Sequence, residues 1–154
     1  MSLNCNYNYV AEEAVREQRR NAIRGQIRTV ESWIMSYDEQ ISSLESKLES
    51  QRTMKELFDG KCSELDTEKA AKSVGIENVS KYTSNLKFSL GYTEVMRDLF
   101  QGNTSKTYQG YREEISQYMQ SEINANQTRL DTLQREKNTN VTTLSDLNRQ
   151  LTRI

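Results

Sequence analysis

Apolar residues recur in the first third of the chain with a spacing that restricts the folds open to it. From Ile23 to Leu48 they step alternately by four and three residues, through Ile23, Ile27, Val30, Ile34, Tyr37, Ile41, Leu44 and Leu48. Such an alternation averages 3.5 residues, the heptad spacing of a coiled-coil seam. The register continues with polar interruptions to Leu65, so the sequence predicts a helix over about residues 11–66.

The composition agrees with a helical protein that has a narrow core. Of the 154 residues, 34% are hydrophobic and 28% are charged, and proline, the strongest helix breaker, is absent. Such a chain can line a seam between helices but cannot fill a broad globular core.

The residue types argue against catalysis and metal binding. Histidine, the commonest general base and metal ligand, is absent. The two cysteines, Cys5 and Cys62, match no zinc-binding spacing, and we expect unpaired thiols. No nucleophile–base set or phosphate-binding glycine loop is present. We therefore expect no enzyme activity, no metal and no cofactor.

Charge and hydropathy bear on partners and location. The chain has 21 basic and 22 acidic residues, a balance that argues against a protein that coats nucleic acid. The first residues lack the features of a signal peptide, and no apolar stretch approaches the roughly 20 residues that span a bilayer. We expect a cytoplasmic protein without membrane insertion, and any co-export would need no cleaved signal peptide.

The rest of the chain predicts two further helices. Capping residues around Thr67 and Gly75 predict a connection at 67–77, followed by a shorter middle helix over about 78–99. Gly102 predicts a turn at 100–103, and the last helix covers about 104–154. We expect a single all-α domain, 1–154, built as an elongated antiparallel helical hairpin or coiled coil. The sequence leaves open whether the middle helix folds back or extends the first helix.

The last helix carries its own apolar pattern. Its predicted seam begins at Tyr108, Tyr111, Ile115 and Tyr118, drifts through Met119 and Ile123, and continues along Leu130, Leu133, Lys137, Asn140 or Val141, Leu144, Leu147, Leu151 and Ile154. A drift of this kind is typical of a straight helix that is not held to a strict heptad.

Two amphipathic helices cover only one side of each other, so part of the apolar surface is expected to remain open. The stripes also contain large aromatic residues, which are favoured at interfaces. An uncovered apolar strip implies a partner. The predicted partner contacts are Trp33, Tyr37, Tyr111, Tyr118, Leu130, Leu133, Leu144, Leu147 and Leu151.

Arginines recur every four residues near the start of the first helix and predict a basic ridge on one face. The ridge consists of Arg16, Arg20, Arg24 and Arg28. It would suit phosphates or an acidic partner. The alternative, favoured by the glutamates around it, is a solvated helix end.

One motif resembles a known family. Phe100-x-Gly102-x-x-Ser105-x-x-Tyr108 is similar to the W-x-G-x-x-A-x-x-F pattern at the turn of WXG-type helical hairpins of bacterial type VII secretion, with phenylalanine in place of tryptophan. The position of the motif, two thirds along the chain, resembles the longer helical partners encoded beside LXG-domain toxins.

The resemblance implies a non-enzymatic adaptor that binds the N-terminal helical domain of an LXG-type toxin and helps deliver it to a type VII secretion system. A second small helical protein could join the complex. The alternative is a self-associating coiled-coil scaffold, in which a second copy of the chain covers the open stripes.

Overall fold

The structure is a computed structural model that describes residues 3–82 and 87–154, with side chains described for 11–81 and 90–154. Three helices account for almost all of these residues: α1 (Leu3–Tyr82), α2 (Lys87–Gln101) and α3 (Asn103–Thr152). Neither described range contains a strand, and the all-α prediction is confirmed.

The predicted connection at 67–77 is wrong, because α1 continues through it to Tyr82. Gly75 does not adopt a positive φ, so it does not end the helix. The next residue, Ile76, is buried, and its packing offsets the roughly 1 kcal/mol that a helical glycine costs. The predicted helix 78–99 is divided between α1 and α2, and its residues 83–86 lie outside the described part of the chain.

The predicted turn at 100–103 reduces to a bend at one residue, Gly102. Its backbone N–H donates to the carbonyls of Arg97 at 3.1 Å and Asp98 at 2.9 Å, and its own carbonyl accepts from the N–H of Lys106 at 3.1 Å. Two of these bonds have the four-residue spacing of an α-helix. Phe100 therefore belongs to α2, and the backbone bends at Gly102 without reversing.

Contacts divide the chain into two compact units. Unit 1 contains the α1 residues up to Lys47 together with Asn126–Ile154, and unit 2 is Leu48–Ala125. The expectation that the whole chain is one domain stays a prediction.

In unit 1, α1 and α3 contact each other in antiparallel order. Asp38 forms a 2.5 Å ion pair with Lys137, whereas Arg20, nearer the start of α1, donates to the carbonyl oxygen of Ile154 at 3.2 Å. The core cluster consists of the buried Ile23, Val30 and Leu147, against which Ile27, Ile34, Leu144, Leu151 and Ile154 pack.

The order is also antiparallel in unit 2. Asp59 contacts Ser116 at 3.1 Å, and Asp66, further along α1, contacts the earlier α3 residue Arg112 at 2.6 Å. Among the described side chains of this unit, the buried ones are Leu48, Cys62, Ile76, Thr93, Ser105 and Ile123.

The predicted α1 seam is confirmed from Ile23 to Cys62, because every member is buried or half-buried. Beyond Cys62 the inward face shifts by one residue: Asp66 takes the position predicted for Leu65, which is 43% exposed. Successive steps of four from Phe58 to Cys62 to Asp66 interrupt the heptad as a stutter does.

The predicted start of the α3 seam is wrong. Tyr108, Tyr111, Ile115 and Tyr118 are all exposed, and the inward face runs instead through Ser105, Arg112, Ser116, Met119 and Ile123. Polar contacts to α1 select this face, since Arg112 and Ser116 reach Asp66 and Asp59. Further along, Asn140 faces inward and Val141 outward.

Candidate functional site

The largest group of exposed aromatic side chains lies on α3 in unit 2. Tyr111 and Tyr118 are 63% and 67% exposed, and Tyr108 and Ile115 are 44% and 47% exposed. These four residues are spaced by three, four and three positions, so they form one stripe along the helix. An unbroken apolar stripe of this kind is a candidate for a protein contact.

Two exposed α1 side chains lie on the same side of the unit as this stripe. At about 100° per residue, Met54 and Leu65 are rotated from the inward face of α1 in the same sense as the tyrosines on α3. Because α1 and α3 are antiparallel here, equal rotations bring both sets to one side. We call this surface the tyrosine face; it comprises Met54, Leu65, Tyr108, Tyr111, Ile115 and Tyr118.

A cavity of about 290 Å³ opens at one end of the tyrosine face. Its lining is mainly apolar and includes three charged residues. We call it the anchor pocket; it is lined by Leu65, Glu68, Lys69, Lys72, Leu99, Phe100, Thr104, Ser105 and Tyr108.

The anchor pocket depends on the bend at Gly102. Asp98 Oδ1 accepts from the backbone N–H of Asn103 at 3.1 Å, and Asp98 Oδ2 accepts from the hydroxyl of Thr104 at 2.8 Å. The carboxylate thus binds the open start of α3, where helices favour an acidic group. This fixes the end of α2, with Phe100, next to the start of α3, with Tyr108.

Asp98 was not predicted from the sequence. Helix N-caps are usually sought at the residue that immediately precedes a helix, whereas Asp98 lies a full turn earlier, inside α2. The available signal was an aspartate four residues before a glycine at a predicted break.

All four residues of the predicted motif are located at this bend. Ser105 is buried and accepts a hydrogen bond from the ammonium of Lys69 on α1. Phe100 is half-buried and Tyr108 is partly exposed, both in the pocket wall. A side chain on Gly102 would contact Asp98, with the added Cβ only 2.7 Å from its Cα.

Charged and polar contacts link α1 to α3 in unit 2. A hydrogen bond from Lys55 lowers the pKa of Asp59, with a further contribution from the hydroxyl of Ser116. A hydrogen bond to Asp66 raises the pKa of Arg112. Each pair favours its charged state. The Arg112–Asp66 pair links α3 to α1 across the seam of unit 2, whereas the Lys55–Asp59 pair lies within α1.

Several predicted partner contacts are internal. Leu130, Leu133 and Leu147 are buried in unit 1 by the chain itself, so a partner has no access to them while the helices stay paired. Leu144 and Leu151 pack against the core cluster of the same unit. These five leucines belong to internal packing because α1 covers them.

The remaining predicted aromatic contacts of unit 1 differ in exposure. Trp33 is 53% exposed and stays accessible, whereas Tyr37 is half-buried in the seam.

The predicted basic ridge is largely neutralised by glutamates on its own helix. Arg20 contacts Glu13 at 3.1 Å and Glu17 at 3.3 Å, and Arg24 contacts Glu17 at 3.2 Å. The hydrogen bond to Glu17, followed by that to Glu13, raises the pKa of Arg20. Arg16 lies 3.9 Å from Glu13, and Arg28 is exposed. This pairing favours the solvated helix end over a phosphate-binding surface.

Other kinds of site have no counterpart in the described part of the chain. Its Cys, Asp and Glu side chains form no group of three or more that could hold a metal ion. Cys62 is a buried free thiol, and the side chain of Cys5 lies outside the described residues. None of the described helices has both the length and the hydropathy needed to cross a bilayer.

No protein-family model, curated protein or solved structure shows significant similarity to the chain.

Proposed function

We propose that this protein is a non-enzymatic adaptor that binds helices of a partner protein through the tyrosine face. The observation that carries the proposal is the exposure of Tyr108, Tyr111, Ile115 and Tyr118 along one stripe of α3. Their apolar surface stays in contact with water although α1 already covers the neighbouring face of the same helix. A partner helix laid along the stripe would remove this surface from water.

The architecture that we propose for this adaptor is a helical hairpin of the coiled-coil type. Antiparallel contacts within each unit support it, as does the heptad spacing of the buried α1 residues from Ile23 to Cys62. The anchor pocket also supports it, since Leu65 of α1 lines this pocket together with residues of both α2 and α3.

In its specific form, the proposal is that the partner is the N-terminal helical domain of an LXG-type toxin and that the adaptor delivers it from the cytoplasm to a type VII secretion system. Two features of the motif support this form. Ser105 is a small buried residue where α3 approaches α1, and Gly102 leaves no room for a side chain. A second small helical protein could bind the exposed Trp33 in unit 1.

Affinity purification from the native host tests the proposal. The tagged wild-type protein is compared with a double variant, Tyr111→Ser and Tyr118→Ser, and captured proteins are quantified by mass spectrometry. We expect an LXG-type toxin with the wild type and a loss of about tenfold or more with the variant, because exposed aromatic side chains dominate such contacts.

A Glu113→Ser variant is the matched control, since Glu113 is exposed on the opposite side of α3. It should capture as much toxin as the wild type. Equal capture by the double variant would refute the role of the tyrosine face. Recovery of this chain alone, as a stable dimer, would favour the self-associating scaffold.

A further inference from the structure

We infer that the anchor pocket binds a bulky apolar side chain of a partner helix together with a carboxylate on the same helix. The inference rests on the proposed function and adds the chemistry of the partner segment. The anchor pocket would then fix the position of the partner helix along the tyrosine face.

The apolar part of the pocket has the size for a side chain. The whole pocket measures about 290 Å³, just below the roughly 300–1,000 Å³ that is typical of small-molecule sites. Its walls are Leu65, Leu99, Phe100 and Tyr108, all apolar over most of their surface. A leucine or an aromatic side chain that enters here would replace water against four apolar neighbours.

The charged part of the pocket has an unbalanced cation. The half-buried Lys69 donates to the hydroxyl of Ser105, which orients its ammonium without neutralising it. Among the described side chains, no carboxylate lies within 4.0 Å of Lys69 or of Lys72. With Glu68 counted, the pocket lining carries two positive charges and one negative charge. A partner carboxylate would therefore meet an attractive field in a partly desolvated site.

The surface beyond the pocket identifies the occupant as a helix rather than a small amphiphile. From Tyr108 the stripe runs to Tyr118, about 15 Å away along α3 at 1.5 Å per residue. A small amphiphile that filled the pocket would leave Tyr111, Ile115 and Tyr118 in water. An amphipathic helix could place one side chain in the pocket and cover the whole stripe.

Three synthetic peptides of about 20 residues test the inference, since this length allows a stable helix. All three have the same leucine stripe and differ at one position beside it, which is Glu, Gln or Lys. Their dissociation constants for the full-length protein are measured by fluorescence anisotropy at low salt. We expect the Glu peptide to bind about fivefold more tightly than the Gln peptide, and the Lys peptide to bind most weakly.

Variants assign the preference to the pocket. In each of the variants Lys69→Gln and Lys72→Gln, the dissociation constants of the Glu and Gln peptides should differ by less than about twofold. Lys106→Gln removes the same charge from the opposite side of α3 and should keep the full preference.

Equal binding of the three peptides, or a preference that persists in the pocket variants, would overturn this inference and leave the helix-binding function standing. Failure of every peptide to bind would contradict the proposed function as well. If decanoate saturates the pocket while no peptide binds, the occupant is a small amphiphile and the inference is wrong. If sedimentation shows a dimer that excludes the peptides, the occupant is a second copy and the inference is again wrong.

Discussion

Asp98 and Gly102 show how two side-chain identities determine the bend between α2 and α3. The carboxylate of Asp98 binds the start of α3, and the absence of a side chain at residue 102 allows it to do so. A Cβ at residue 102 would overlap Asp98, including its backbone Cα, which cannot move aside as a flexible side chain could.

We predict that Gly102→Ala lowers the free energy of unfolding by about 1–3 kcal/mol, because the new Cβ must displace the Asp98 backbone. Urea denaturation monitored by circular dichroism measures the change. Gly110→Ala is the control, since no atom lies within 4 Å of the Cβ position there apart from its chain neighbours and the local helix backbone. It should stabilise the helix by about 0.5–1 kcal/mol. Destabilisation at residue 110, or none at residue 102, would contradict the packing described for the bend.

Leu48 and Leu57 offer a second comparison, within the same helix and unit. Leu48 is 2% exposed and Leu57 is 63% exposed. We predict that Leu48→Ala costs about 3 kcal/mol of unfolding free energy because it leaves a cavity, whereas Leu57→Ala changes it by less than about 0.5 kcal/mol. Equal effects in urea denaturation would mean that α1 presents a different face to α3.

At the scale of the helices, the sequence predicted the α1 seam from Ile23 to Cys62 because apolar side chains occupied it. The prediction was wrong where polar residues occupy the inward-facing positions. Asp66 and Arg112 face inward as an ion pair. The apolar pattern instead predicts Leu65 and Tyr111 as the inward-facing residues. The pairing partner of a charged residue depends on the alignment of two helices, which a one-helix pattern does not contain.

The continuation of α1 through residues 67–77 was not predicted, for a related reason. Glycine and capping residues suggested a break at 67–77, but Gly75 continues the helix and Ile76 packs inward. Local propensities of about 1 kcal/mol are small beside the burial of an isoleucine, so tertiary packing decided the outcome.

The contacts of the Asp59 carboxylate, with Lys55 in α1 and with Ser116 in α3, give unit 2 a predictable acid response. The pKa of Asp59 is below its ordinary value of 3.8 because Lys55, Ser116 and Arg112 favour the carboxylate. A lowered pKa in the folded state contributes stability above about pH 4, which is lost as the pH falls through the folded-state pKa. We predict that the melting temperature of Asp59→Asn falls less between about pH 5 and pH 2 than that of the wild type.

Asp131→Asn is the control for this prediction, since the exposed carboxylate of Asp131 accepts a hydrogen bond from the Gln127 amide within its own helix, α3. Its acid response should follow that of the wild type. If the melting temperature of Asp59→Asn fell with pH as steeply as that of the wild type, the contacts of Asp59 would contribute nothing to folding.

At the scale of the whole molecule, the sequence predicted an uncovered apolar strip but misassigned part of it. Tyr111, Tyr118 and Trp33 are exposed as a partner surface requires. The predicted leucines of α3 are largely covered by α1, and the anchor pocket was not predicted. Its walls come from three helices, so no single stretch of sequence records it.

The tyrosine face should contribute little to folding. We predict that the double variant Tyr111→Ser and Tyr118→Ser stays within about 0.5 kcal/mol of the wild type per substitution, because both side chains are more than 60% exposed. Thermal denaturation measures this. A large loss of stability would indicate that the tyrosines belong to the core, and it would remove the basis for a partner surface.

Site-specific photocrosslinking in the native host tests whether the tyrosine face binds a different protein. A photoreactive phenylalanine analogue replaces Tyr111 in one strain and Glu113, on the opposite side of α3, in another. We predict a covalent adduct with a different, helical protein from position 111 and none from position 113. Equal yields of adduct from both positions would contradict this prediction. So would adducts from position 111 that contain only a second copy of this chain.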